Sequence, residues 1–212
     1  MPHAALHGYR GVWFFVRSGS AVVSAPPDWV DPLEQKLASA VAQELLSPDS
    51  AVRVVGRAAG AVVGPSFQGW LSADRFRPVP SHGVERLSES DVESVRAFQA
   101  SCPHEDWDHG GINLAAAPVW ASFRESGIVA LGQLREHSDG AVDPGVVTHP
   151  DHRGQGHALR LVGTMAQAAL SQERLVLYQT LLANVAALSV ARRLGFARYA
   201  TLVAVRLTRD AA

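Results

Sequence analysis

Two short β-rich runs, residues 12–17 (Val-Trp-Phe-Phe-Val-Arg) and 20–25 (Ser-Ala-Val-Val-Ser-Ala), flank Ser18-Gly19 and predict a hairpin. A helix is predicted next. Asp31 and Glu34 have capping-box spacing, Pro32 suits a first helical position, and Leu33, Leu37, Val41 and Leu45 fall on one stripe that Pro48 closes. Short strands around Val52–Val55 and Ala61–Val63 complete a small α+β unit. It runs out in the Pro78/Pro80/Gly83 stretch, which places a boundary near residue 80.

Beyond it, Ser88-Glu89-Ser90-Asp91 caps a helix whose Val92, Val95, Phe98 and Cys102 share a face, with Leu87 placed to staple Val92. The pattern then turns to strands. Val119–Phe123, Ile128–Leu134 and Ala141–Thr148 are separated by Glu125-Ser126-Gly127 and His137-Ser138-Asp139-Gly140, which predicts an antiparallel meander. Pro144-Gly145 cannot sit in a regular central ladder, so a bulge or splay is expected there. A helix with Ala158, Val162, Met165, Ala166 and Ala169 inward follows, then a strand over Leu175–Leu181. Asn184 caps a last helix with Leu188, Ala191 and Leu194 inward, Gly195 ends it, and Tyr199–Leu207 is a final strand.

Composition narrows the class. With 212 residues, 47% hydrophobic, the chain can bury a real core, and a net charge of −1 without a Lys/Arg block excludes an electrostatic footprint for nucleic acid or an anionic membrane. Cys102 is the only cysteine, so no intrachain disulfide forms, and its apolar stripe makes a buried, inert thiol the expectation. The early apolar run Gly11–Val16 stops at Arg17, too short for a spanning helix or signal core, and a cytoplasmic location is expected.

The densest chemistry lies between the meander and the following helix, in Val147-Thr148-His149-Pro150-Asp151-His152-Arg153-Gly154-Gln155-Gly156-His157-Ala158. This reads as strand, bare-backbone turn and helix start. Two glycines let the main chain approach an anion, and the first helical turn offers unpaired N–H groups at the positive dipole end. A phosphorylated ligand follows. Leu159 stands where a dinucleotide fingerprint needs a third glycine, and His157-Ala158 lacks the lysine and hydroxyl of a P-loop.

Arg153-Gly154-Gln155-Gly156-His157-Ala158 matches Arg/Gln-x-x-Gly-x-Gly/Ala and resembles the acyl-CoA-binding motif of the GCN5-related N-acetyltransferase superfamily. Gly145–Pro150 resembles the family's fourth strand, Asn184 with Leu194-Gly195-Phe196 its last conserved helix, and roughly residues 84–209 follow its element order. The resemblance implies a mixed, mostly antiparallel α+β sheet with splayed strands flanked by helices. Residues 81–212 would be the acetyltransferase domain and 1–80 an accessory or degenerate unit, which is also a candidate for homodimerisation.

By the same resemblance, Val146, Val147 and Thr148 hold pantetheine, and Gly154, Gln155, Gly156, His157 and Ala158 hold pyrophosphate of acetyl-CoA, with Arg153 adding charge or pointing away. Asn184 is either a cap alone or also a pantetheine contact. A neutral amine would attack the thioester directly. The oxyanion donor is a strand N–H near Val147, and Asp143 is the base, in competition with His149 and a water chain, or only a solvated turn acid. The family's usual tyrosine acid falls on Ala191, leaving Ser189, Tyr178, Tyr199 or water to meet the thiolate. Glu105, Asp106, Trp107 and Asp108, in the variable segment 103–117, are either a solvated loop or a cage for a cationic acceptor. No spacing suggests a metal set, and His3, His7 and His82 receive no role. The alternative to an enzyme is a binding module that senses acyl-CoA without turnover.

Overall fold

The computed structural model describes residues 10–115, 118–125, 127–137 and 139–208. His3, His7, Ser126, Ser138 and residues 116–117 of the variable segment lie outside the described residues. Contacts divide the chain into two compact units, interleaved in sequence: Met1–Gly69, Gln179–Val185 and Arg198–Ala212 form the first, Trp70–Tyr178 and Ala186–Ala197 the second. A single cut near residue 80 does not separate them.

The first unit opens with the expected hairpin, β1 (Gly11–Arg17) and β2 (Ser20–Ser24), paired from Trp13↔Ser24 to Arg17↔Ser20. The expected long helix is broken. α1 (Val30–Leu37) starts before Asp31, so Asp31 lies inside the first turn and makes no capping box, and a separate 3-10 turn carries Ala42–Leu46. Pro48 begins a helix instead of ending one. α2 (Pro48–Val55) takes Ser47 as N-cap and Pro48 in its first turn, where a missing N–H costs nothing, and buries Ala51 and Val55 one turn apart. Val52–Val55 is therefore helix, because β-branched residues follow the apolar partner at i+4 once it packs.

β3 (Ala59–Leu71) is 13 residues long, far beyond Ala61–Val63. Its glycines and Pro65 hide it in the sequence, yet Gly64 has a use: at φ +118 it lets β3 approach β9 (Ala197–Leu207), where a Cβ would come within 2.6 Å of the Leu202 carbonyl oxygen. The strand order in this unit is β2-β1-β9-β3, continuing to the outer end of β8 (Val176–Leu181). Val12, Phe14 and Val16 of β1 and Val203 and Val205 of β9 face Leu33, Leu45, Ala51 and Val55, giving this unit its own core.

The second unit runs β8-β7-β6-β5-β4, with the short β4 (Val84–Arg86) followed by β5 (Val119–Arg124), β6 (Gly127–Glu136) and β7 (Val142–Thr148). β4 falls where only a linker is expected. The Ser88 cap forms as its spacing predicts: the Ser88 N–H donates to the Asp91 carboxylate at 2.8 Å ahead of α3 (Val92–Ser101). Residues 104–110 are not a loop but a short helix, α4 (His104–Gly110), closed by Gly111 in the left-handed region. Val95, Phe98, Ile112, Ala121, Leu131 and Val147 pack on one face of the meander, and α5 (His157–Leu170) brings buried Leu161, Val162 and Met165 into the unit. α6 (Val185–Leu194) and the left-handed Gly195 complete the pattern. Among pairings of defined register only β7/β8 is parallel, and the whole is the expected mixed, mostly antiparallel α+β architecture. No helix of the described residues is long and apolar enough to cross a membrane.

Candidate functional site

β7 pairs with β6 without interruption from Glu136↔Val142 to Ala130↔Thr148, so Pro144-Gly145 makes no bulge on that side. The irregularity lies in β5, at Ser122/Phe123. On the other side β7 meets β8 at a single position, Val142↔Val176, where the Val142 N–H donates to the Leu175 carbonyl at 2.9 Å. Main-chain groups alternate direction along a strand, so Pro144, Val146 and Thr148 present theirs to the same side as Val142. Pro144 has no N–H to give. The ladder to β8 ends there, and the two strands part.

The splay leaves Val146 and Thr148 with main-chain groups directed away from β6. The His149 N–H donates to Val129 on β6 at 3.0 Å, and the alternation therefore commits Val147 N–H to Leu131 of β6 as well. Val147, the expected oxyanion donor, turns its N–H away from the opening, and Val146 turns its own toward it.

Past Thr148 a 3-10 turn, Pro150–His152, leads into Gly154 (φ +77) and Gly156 (φ +81), both in the left-handed region, and α5 begins at His157. A Cβ at Gly154 would meet nothing within 4 Å, so the turn is open to an incoming group. The first-turn N–H groups of a 14-residue helix face that opening. Gln155 and Ala158 lie beside it, Gln155 exposed and donating to the Asp151 carbonyl at 3.3 Å. Main-chain donors at a helix start, next to an unpaired strand edge, have the chemistry that a diphosphate joined to an amide-bearing arm requires.

Beneath the turn, His157 is almost wholly buried. Its Nδ1 accepts from Arg160 at 3.0 Å, and because arginine only donates, the Ser122 hydroxyl at 2.8 Å must donate to the same atom and the proton sits on Nε2. Nε2 has no partner among the described residues. Burial, then the neighbouring Arg160, Arg124 and His152, hold His157 neutral and push its pKa down to about 4. Only the backbone of His157 faces the turn; the side chain anchors the start of α5 to β5.

Arg153 does not reach into the turn. Its guanidinium pairs with Asp106 of α4 at 2.5 Å and Nε donates to the Thr148 carbonyl at 3.4 Å. The α4 cluster is thereby divided. Asp108 pairs with His104 at 3.0 Å, Glu105 is exposed, and Trp107 packs its ring on Phe98 with centroids 6.3 Å apart. Trp107 is thus half-buried against the apolar layer under α3.

Asp143 is not a solvated turn acid: it is buried, gripped by Arg135 directly opposite on β6 and by His137 Nε2 at 2.9 Å. Both carboxylate oxygens are engaged, and neither partner is suggested by local spacing. His149 Nδ1 accepts the Asp151 N–H at 3.3 Å. Asn184 immediately precedes α6 and donates its N–H to Leu181 at 3.0 Å. Ser189 is half-buried and Ala191 completely buried on α6. Tyr178 stacks against Phe196 at 4.9 Å, and burial raises the phenols of Tyr178 and Tyr199. Cys102 ends α3 half-buried, its thiol pushed up by burial. Among the described residues no group of three or more His, Cys, Asp or Glu is placed to hold a metal ion.

The model of the Acetyltransferase (GNAT) family matches residues 84–196, more than half of the chain, and the protein belongs to that family. Solved structures agree at the level of fold. An acetyltransferase from the GNAT family of Colwellia psychrerythraea superposes with TM-score 0.59 at 16% identity, over 93% of this chain and 81% of that one. A GCN5-related N-acetyltransferase from Kribbella flavida gives 0.54 at 17%, over 95% and 90%, and an N-acetyltransferase-like protein from Streptococcus suis 0.51 at 14%, over 96% and 91%. No curated protein matches the sequence.

Proposed function

We propose that the protein is an N-acetyltransferase that moves an acetyl group from acetyl-CoA to a primary amine. The observation that carries this reading is the splay of β7 from β8 at Pro144, which runs straight into the Gly154/Gly156 turn at the start of α5. In this reading the pantetheine arm lies along Val146 and Thr148 as an added strand, and the diphosphate sits on the N–H groups of Gly154 to Ala158. The acyl thioester comes from acetyl-CoA; this chain's part is to bind, align and polarise it.

The Val146 N–H, directed into the opening, is the main-chain donor for the carbonyl oxygen as negative charge builds on it. The neutral amine attacks the thioester carbon, the C–S bond breaks, and CoA leaves as thiolate. The ammonium proton passes to water. Asp143, held by Arg135 and His137, is already paired on both oxygens and serves as a clamp on the start of β7, not as the base. Ala191, where the family's tyrosine falls, has no proton to give, and in this reading water also protonates the thiolate, a tolerable leaving group. We place the reaction in the cytoplasm, where acetyl-CoA is available.

Two observations favour a second reading, an acyl-CoA sensor without turnover: the carboxylate nearest the splay is engaged and Ala191 is fully buried. Calorimetric titration with CoA, followed by thiol release from acetyl-CoA over a panel of primary amines, separates the two. Binding with turnover supports the enzyme, binding without turnover on any amine supports the sensor, and no binding removes both.

A further inference from the structure

The first unit contains a concavity of about 580 Å3 at the point where β1 and β9 stop pairing. Val16↔Thr201 is the last pair of that ladder. Beyond it Ser18 and Gly19, both at positive φ, turn β1 into β2, while Arg198 and Tyr199, at the start of β9, line the concavity as well. The volume falls within the roughly 300–1,000 Å3 usual for small-molecule sites.

Its lining is cationic. Arg17 and Arg198 both border it, both are exposed, and no Asp or Glu lies in the wall. Neither guanidinium makes an ion pair or hydrogen bond among the described residues, whereas Arg10, Arg135, Arg153 and Arg174 are all paired with carboxylates. Gln43 adds an amide donor, and Tyr199 also lines the concavity. A cleft with one sign of charge concentrates counter-ions, and the planar guanidinium fork fits an oxyanion better than water does.

A second concavity of about 580 Å3 adjoins the first, sharing Arg17, Ser18, Tyr199 and Ala200. Its character is different. Phe15 and Val22, directly opposite each other across β1 and β2, form its floor, and Val22 is left 51% exposed on the sheet surface. The polar and apolar hollows thus meet at Arg17 and Tyr199.

We propose that the paired hollows form a binding site for a small amphipathic oxyanion, an aryl or alkyl phosphate or carboxylate. The charged group lies between Arg17 and Arg198, and the apolar body rests on Phe15 and Val22. The site is independent of the cofactor reading, because it uses no residue of β7, the glycine turn or α5.

Phenyl phosphate, benzoate, inorganic phosphate and phenol, titrated calorimetrically into the full chain, test it. Phenyl phosphate or benzoate binds at least about tenfold tighter than inorganic phosphate and phenol, and the stronger of the two names the anion class. The Arg17→Gln/Arg198→Gln double variant, altered only at exposed side chains, loses about tenfold or more of that affinity while CoA binding stays within about twofold. Val22→Ser removes the advantage of phenyl phosphate over phosphate and leaves phosphate binding unchanged. Binding of phenyl phosphate and benzoate by the double variant as tight as by the unaltered protein, or no millimolar binding of any probe by the unaltered protein, overturns the proposal whatever the outcome with CoA.

Discussion

The α-carbon of Gly145 in β7 lies against the carbonyl oxygen of Gly110 at the end of α4, so closely that a Cβ on Gly145 would overlap that oxygen. Both partners at the contact are backbone, which leaves no flexible group to yield. Two glycines therefore fix how close α4 sits to the strand carrying the candidate cofactor edge. Gly145→Ala is expected to destabilise the protein by about 1–3 kcal/mol, the usual cost of overpacking. Urea unfolding measures it, and an unchanged midpoint would show that α4 moves freely.

Arg153 is held by Asp106, and an exposed pair of this kind is worth at most about 1 kcal/mol. Asp106→Asn should therefore barely alter stability. If Arg153 turns to the diphosphate when CoA binds, the variant no longer gives up the pair, and CoA affinity rises by up to about fivefold. Weaker CoA binding in Asp106→Asn would instead assign the pair a role in the bound state.

His157 gives a pH signature. Its folded pKa of about 4 lies below the ordinary histidine value of 6.5, so the unfolded chain binds the proton first as pH falls. Stability linked to this group is complete above pH 6.5 and is lost between 6.5 and 4, by at most about 3 kcal/mol. His157→Leu, matched for burial, should flatten that part of the stability curve. Equal slopes in the two proteins across that range would sink the assignment.

Pro144 ends the β7/β8 ladder by lacking a donor. Pro144→Val restores an N–H on the edge that faces β8 and lets pairing extend past Val142↔Val176. The expected result is one additional slowly exchanging amide and CoA binding weakened by about tenfold or more, because β8 now competes with the cofactor arm for the edge of β7. Unaltered CoA affinity with a protected amide at 144 would place the cofactor elsewhere.

Gly154 tests the turn with little disturbance of packing. Its φ of +77 disfavours a side chain although the space around it is open. Gly154→Ala is expected to cost about 1–2 kcal/mol in backbone strain and to weaken CoA more than it weakens the fold. Parallel measurement of thermal midpoint and CoA titration separates the two effects.

Local signals were sufficient wherever adjacent residues carry the information. The hairpin at Ser18-Gly19, the Ser88/Asp91 cap, the three-strand meander, the glycine turn and the Gly195 stop all depend on residues within a few positions of one another. Pro48 and β3 are not legible locally, because a proline ends one helix as readily as it begins the next, and because glycines that permit close strand approach also resemble loop residues. The α4 cluster is hidden for a different reason. Its charges suggest solvent, while Trp107 packs on Phe98 of the preceding helix and Gly110 is held by Gly145, which lies far along the chain.

By itself the sequence determined the family-like order of elements, the bare turn from Gly154 to Gly156 and the proline that interrupts β7, since conformational limits of Gly and Pro act on the residue that bears them. Tertiary structure decided which edge of β7 is open, through a register that commits Val147 to β6 and frees Val146. It also decided that Asp143 is clamped and Arg153 is turned toward Asp106. Those outcomes depend on partners brought together by strand pairing and helix packing, and no periodicity along the chain encodes the direction in which a side chain finds its counter-charge.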